Sequence, residues 1–440
     1  MQKFALFLLF ILAAFVCQCQ RASLPQAENS EQESATKGVL DDIAGLVYGS
    51  YEKIDIPGAY CSNGSPYKIF VQKADSPLDK LLGNHKRLAL FLEGGGACWD
   101  YASCSGQSGI RGAANPNGIP NNYMNLKAKI DGQGGSINAV YSPLILPNHP
   151  SGRNIKTSSW NKVFIPYCTG DVFSGNKVTV YEDPDGIRPP ITCRHFGHIN
   201  LEKVISYLQT QFNRPEEMFV TGYSAGGAGT SINYHFFRKA LNPNKANMVN
   251  DSGPIFTAPD DSFYQYRLQN TIRAVWNADY LLRKYQEDFP ELKNHQDMGL
   301  ITETIARAYP QDKITFTAFV RDGNYSGYSY ARFYGLDEKI PEQKEEVYRM
   351  WHEDLKILMK TYDKYSNLYY FIPYFRDVIE SHCTTVIEFK GTEIYASGVD
   401  VGTFIQQMLS GSRFLRSYYE SYNPLDQYTT GFWIELSKLL

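Results

Sequence analysis

From about Ile43 onward the chain alternates short apolar runs with longer stretches of helical period. Residues 67–71 (YKIFV), 88–92 (LALFL), 162–166 (KVFIP) and 218–221 (MFVT) read as strands. So do 247–250 (NMVN), 314–320 (ITFTAFV) and 367–372 (NLYYFI). Most of these runs lack the apolar–polar alternation of a half-exposed strand, which predicts a sheet covered on both faces. Helical patterns fall between several of them, at 199–212, 225–240, 343–362 and 401–409. Strand followed by helix, repeated, predicts a mostly parallel α/β sheet with helices on both faces.

Two stretches interrupt that rhythm. Residues 101–160 are rich in Gly, Asn, Pro and Ser and predict a long surface excursion. Residues 262–310 carry helical patterns between two strands. They are expected to form a cap inserted over the carboxyl edge of the sheet.

The N-terminus reads differently. Lys3 precedes an apolar run at 4–16 that is too short to span a bilayer and fits a signal-peptide core. The expected division is a signal peptide at 1–19, a polar leader at 20–42 and one catalytic domain at 43–440. Cys19 is a small residue for the cleavage position. Cys17 is a less favoured lipid-anchor site, because Val16 before it suits such a site poorly. With no second apolar stretch of spanning length, the expected location is secreted or periplasmic. Net charge is −3 over 440 residues, so nothing points to nucleic acid or an anionic membrane surface. Six cysteines follow the leader, and an even count in an exported chain predicts disulfides. Cys98 with Cys104, and Cys168 with Cys193, are the nearest pairings.

The strongest chemical signal is MFVTGYSAGGAGTSINYHFF, a strand, then G-x-S-x-G, then a helix. A nucleophilic serine on a tight strand-to-helix turn needs very small residues two positions away on either side. Gly222 and Gly226 flank Ser224 in that way. Upstream, LALFLEGGGACW ends a strand in Glu93 and three glycines. Glycines let backbone N–H groups face a substrate without a Cβ in the way. Gly95, Gly96 and Ala225 are therefore the candidate oxyanion-hole donors.

A serine needs a base, and the base needs an acid. On this fold the chain order is Ser, acid, His. Of eight histidines, five precede the late strands, His295 falls in the expected cap, and His352 lies in a charged helix. His382, after the last predicted strand, remains as the base. For the acid, Asp322 after ITFTAFVR is preferred and Asp251 in NDSGP is the runner-up. Cys193, His195 and His198 read C-x-H-x-x-H, but no second half of a metal site follows. No metal and no cofactor are expected.

Together, LEGGGACW, WNKVFIPYCTGDVFSGN (160–176), GYSAGG, NDSGP and His382 resemble the pectin acetylesterase/Notum carboxylesterase family, in its microbial form. The resemblance spans residues 88–382. It implies an α/β-hydrolase fold, a Ser-Asp-His triad with Asp322 as the acid, and oxyanion donors at Gly95, Gly96 and Ala225. It implies removal of acyl groups, acetyl first, from a polysaccharide such as pectin. A longer-chain protein or lipid deacylase is the alternative. A non-catalytic carbohydrate-binding relative and a metal deacetylase using His195 and His198 are rivals from other classes. The family more often has an aromatic residue straight after the glycines. Here Ala97 stands there, with Trp99 two further on, at a position that shapes the acyl pocket.

Overall fold

The computed structural model describes residues 51–107, 112–124, 142–146, 149–292 and 296–423. The expected signal peptide and leader, with Cys17 and Cys19, lie outside the described residues, as does His295. Among the described residues, nine strands form one sheet. In chain order these are β1 (Glu52–Tyr60), β2 (Pro66–Gln72), β3 (Arg87–Leu92) and β4 (Asn161–Ile165). A separate hairpin, β5 (Lys177–Tyr181) with β6 (Ile191–His195), stands apart from that sheet. The large sheet resumes with β7 (Glu217–Tyr223), β8 (Lys245–Asp251), β9 (Lys313–Thr317), β10 (Leu368–Ile372) and β11 (Tyr418–Tyr419).

The order across the sheet is β1-β2-β4-β3-β7-β8-β9-β10-β11. Pairing is parallel from β4 to β11 and antiparallel at the β1–β2 and β2–β4 contacts. In β3, β7 and β8 every residue after the first is buried. That is why the sequence shows unbroken apolar runs there. The strand at 314–320 ends earlier than the apolar run does, at Thr317.

Helices α1 (Tyr101–Ser105), α2 (Gly197–Gln211) and α3 (Ala225–Leu241) precede β8. Between β8 and β9 come α4 (Tyr266–Trp276), α5 (Asp279–Asp288) and α6 (Leu300–Ala308), where the cap is expected. α7 (Pro341–Tyr362) and α8 (Val401–Ser410) follow. No helix among the described residues is long and apolar enough to cross a membrane.

The register sets what the carboxyl edge can present. Leu92 pairs with Gly222, Gly222 with Asn250, Tyr223 with Asp251, and Asp251 with Thr317. Four central strands therefore end level, and the loops after them rise from one line. This edge is where ligands bind in open α/β sheets.

Two expectations are corrected. Cys168 pairs with Cys61, not Cys193, and Cys98 pairs with Cys104 as expected. The Cys61–Cys168 bond links the end of β1 to the segment after β4, whose backbones already meet through Ser62 N–H donating to the Cys168 carbonyl (3.0 Å). Cys193, on the separate hairpin, is a buried thiol. Nor do the described parts of 101–160 run wholly over the surface, although Gly106, Asn117, Asn121 and Asn154 are exposed. Ala113, Ala114, Tyr123, Met124 and Leu144–Leu146 are buried; Ala114 meets Gly95 of the glycine loop, and Leu144 and Ile145 lie by β3 and β4.

Backbones approach closely at the start of α3. A Cβ on Gly226 would collide with the Leu92 carbonyl and stand 2.6 Å from its carbon; one on Gly222 would stand 2.6 Å from the same oxygen. Both obstacles are backbone, which cannot rotate away. Gly226→Val should lower stability by about 1–3 kcal/mol or more, the usual cost of overpacking. Thermal unfolding measures this, and an unchanged midpoint would contradict the contact.

Candidate active site

Ser224 sits between the last residue of β7 and the first of α3. Its φ is 56° and its ψ −126°, a conformation that an L-residue adopts only when its surroundings enforce it. Those surroundings are visible. Ser224 N–H donates to the Asp251 carbonyl (2.7 Å), and the Ser224 carbonyl accepts from Ala228 N–H (3.0 Å).

The glycine loop leaves β3 over a buried acid. Glu93 is fully buried and accepts from Tyr167 N–H (3.0 Å), Asn115 Nδ2 (3.1 Å) and the Tyr123 hydroxyl. This anchors the start of the loop. Gly95 has φ 143° and Gly96 φ 89°, and a Cβ on Gly95 would stand 2.7 Å from Ala114 N. The N–H groups of Gly95, Gly96 and Ala225 donate to no described residue. Ala225 begins α3, so its N–H is one of the unpaired donors of a helix start.

The preferred acid and base meet. His382 Nδ1 lies 2.8 Å from Asp322 Oδ2 and 3.0 Å from Oδ1. A carboxylate only accepts, so Nδ1 carries the proton and Nε2 presents its lone pair. His382 Nε2 is buried and has no hydrogen-bond partner among the described residues. Asp322 is itself fixed by Asn324 N–H (3.1 Å) and Tyr325 N–H (2.8 Å), capping a short helical turn.

The runner-up acid has another task. Asp251 accepts from the N–H groups of Thr384 and Thr385 (2.8 Å each) and from both their hydroxyls (3.0 and 2.6 Å). It therefore grips the loop just after His382. Arg376, fully buried, grips the same loop by its carbonyls, donating to Cys383 (2.8 Å) and Glu388 (2.9 Å). Burial pulls the guanidinium down to about 10, and the nearby Asp251 carboxylate opposes that. The loop needs this grip: Ile379, Glu380, Ser381, Cys383 and Ile387 all have positive φ.

Serine turn and histidine loop share one support. Cys383 N–H donates to Ser252 Oγ (3.1 Å), one residue beyond the Asp251 carbonyl that holds Ser224. The Tyr325 ring, 6.4 Å from that of His382, lines the same pocket as Ser224.

That pocket encloses about 670 Å³, its open mouth included. Gly96, Ala97, Ser224 and Ala225 form one part of its wall. The rest is mostly apolar: Trp99 and Val172, Pro254 to Phe256, Leu268, Ile272, Trp276 and Met298, with Tyr325 and Tyr328. Trp99 leans on Phe333 at 5.4 Å, so it supplies an aromatic surface that Ala97 does not.

The histidines of the C-x-H-x-x-H run diverge. His198 bonds Asn233 (2.8 Å), while His195 bonds Tyr181 and Thr169 and lies with Cys98, Cys104 and Cys193. His352 is half-buried against the Tyr419 hydroxyl (2.7 Å) rather than solvated.

Residues 51–333 match the pectinacetylesterase family model. The chain belongs to the pectinacetylesterase family. Within it, pectin acetylesterase 5 of Arabidopsis thaliana is 29% identical over 206 residues, 46% of this chain and 41% of that one. The palmitoleoyl-protein carboxylesterase NOTUM of Drosophila melanogaster is 27% identical over 267 residues, 57% of this chain and 32% of that one. The chain thus spans less than half the length of these relatives. The structure of the Wnt deacylase Notum from Drosophila superposes with a TM-score of 0.55 at 18% identity, covering 87% of this chain and 99% of that one. This pectinacetylesterase-family chain therefore has the α/β-hydrolase fold. Its family match ends at residue 333, before His382.

Sequence reasoning missed Glu93, Arg376, the holding role of Asp251 and most of the pocket wall. The two aspartates should separate experimentally. Asp322→Asn should lower kcat for ester hydrolysis by about 10⁴-fold, as a wrong-tautomer imidazole does, with little change in melting. Asp251→Ala should lower stability by about 3–5 kcal/mol through the buried donors and the arginine it abandons. If the kinetic and melting effects exchange places, the assignment is reversed.

Proposed function

We propose that this chain is an exported carboxylic ester hydrolase using Ser224, His382 and Asp322. The observation that carries it is Ser224 on its strained turn, opening into an apolar pocket beside a His382–Asp322 pair whose Nε2 is unpartnered. Ser224 Oγ attacks the acyl carbonyl as His382 Nε2 takes its proton, and Asp322 stabilises the resulting imidazolium. The oxyanion is met by the N–H groups of Gly95, Gly96 and Ala225. His382 returns the proton to the leaving alcohol. Water, activated by the same imidazole, then releases the acid. No step requires a metal or cofactor. The Cys61–Cys168 and Cys98–Cys104 bonds support an oxidising compartment.

The acyl group is where the geometry speaks beyond the family. A pocket with this much apolar wall has room for an acyl chain longer than acetyl, and each buried methylene adds about 0.8 kcal/mol. The reading is therefore an esterase that takes acetyl but prefers longer acyl groups. A second reading, acetyl removal from a polysaccharide such as pectin, is favoured by the Arabidopsis relatives.

The test is a series of p-nitrophenyl esters from acetate to decanoate. kcat/KM should climb about tenfold or more between acetate and hexanoate, and Ser224→Ala should lower kcat by about 10⁶-fold. A maximum at acetate, with activity on acetylated pectin, would give the second reading. A fluorophosphonate probe should label Ser224. Failure to label, with full ester activity in Ser224→Ala, would sink the serine mechanism.

A further inference from the structure

Beside the glycine loop lies a second group of reactive atoms that ester hydrolysis does not use. The sulfurs of Cys98, Cys104 and Cys193, and one ring nitrogen of His195, all lie within 4.8 Å of one another. Two of the sulfurs form the Cys98–Cys104 bond, and the third is a thiol. Cys104 packs directly against the buried cluster of Tyr101, Tyr181 and Cys193. A thiol stationed beside a disulfide has the partners needed for exchange, which proceeds by thiolate attack on sulfur.

We infer that Cys98, Cys104 and Cys193 form a three-sulfur exchange centre with two alternative disulfides, Cys98–Cys104 and Cys104–Cys193. Cys193 gives up its proton and attacks Sγ of Cys104. The Cys104–Cys193 bond forms, the Cys98–Cys104 bond breaks, and Cys98 leaves as a thiolate that takes up a proton. Two thiol electrons enter one sulfur pair and two leave another, so no external oxidant or reductant is consumed.

The first proton passes to solvent base, because both ring nitrogens of His195 are already engaged. The Thr169 carbonyl can only accept, so His195 Nδ1 donates to it (3.0 Å) and Nε2 keeps a lone pair, toward the Tyr181 hydroxyl (2.8 Å). Burial holds this imidazole neutral, near 4, and pushes the Cys193 thiol up. Exchange is therefore slow at rest and quickens in alkali.

The exchange bears on the ester site through Cys98. It lies two residues past Gly96, between the pocket residues Ala97 and Trp99. Its N–H donates to the Gly170 carbonyl (2.9 Å), and its carbonyl accepts from Trp276 Nε1 (2.7 Å). With the Cys98–Cys104 bond open, those two hydrogen bonds are left to hold this end of the glycine loop.

Non-reducing peptide mapping after trapping with N-ethylmaleimide reads the centre directly in the full chain. Incubation at pH 9 without reductant should yield a Cys104–Cys193 linked peptide together with alkylated Cys98. Cys98→Ser, expressed for export or treated with oxidised glutathione, should carry the same link and retain Ser224 labelling by fluorophosphonate. Cys193→Ser should carry only Cys98–Cys104 at every pH. If wild type shows Cys98–Cys104 alone at pH 7 and pH 9, or Cys98→Ser leaves Cys104 and Cys193 both free, the centre does not exist and Cys193 is an inert core thiol.

Discussion

Everything in the histidine loop depends on one buried carboxylate. Asp251 closes β8, and its main-chain oxygen holds Ser224 while its side chain holds Thr384 and Thr385. One residue thus fixes both the Ser224 turn and the segment that carries His382. Asp251 collects the loop's N–H and O–H donors, and Arg376 collects its carbonyls. Neither residue is paired with the other through a direct hydrogen bond. They act as opposite poles, and the polar backbone of the loop fills the space between them, as buried backbone groups require.

Such a frame is needed because the loop is locally unfavourable. Five residues other than glycine hold positive φ within nine positions, 379 to 387, and each costs of order 1–3 kcal/mol in isolation. Ser224 and Ser252 add two more at the ends of β7 and β8. Strain of this kind persists only where surrounding bonds over-determine it. Here the level strand ends supply that determination, since Leu92, Gly222, Asn250 and Phe316 lie in one register.

What the sequence revealed was what is local. Ser224 and its glycines, and the Gly94–Gly96 run, are legible because steric need writes small residues next to the chemistry. The strands were legible because burial on both faces removes polar residues from them. Choosing between Asp322 and Asp251 was harder, since both stand near strand ends. They differ in which donors reach them from 60 and more than 130 residues away. Cys61 and Cys168, 107 residues apart, are equally opaque to reading by proximity. Arg376 looks like any charged residue until its burial is known. The 101–160 stretch misled by composition. Ala114 packs against Gly95 and Asn115 donates to Glu93, while Asn117, Asn121 and Asn122 are exposed.

The helices between β8 and β9 have a consequence of their own. α4 and the segment leading to α6 lend Leu268, Ile272, Trp276 and Met298 to the pocket wall, while the bonds that fix Asp322, His382 and Ser224 come from other segments. In the proposed esterase, selectivity and reactivity would thereby be written in different stretches of chain. Under the proposed mechanism, replacement of Leu268, Ile272 or Met298 by a residue of different bulk would reshape what is accepted without touching the bonds that fix Ser224, His382 and Asp322. A scaffold so divided would let such an esterase drift from one acyl ester to another by small steps.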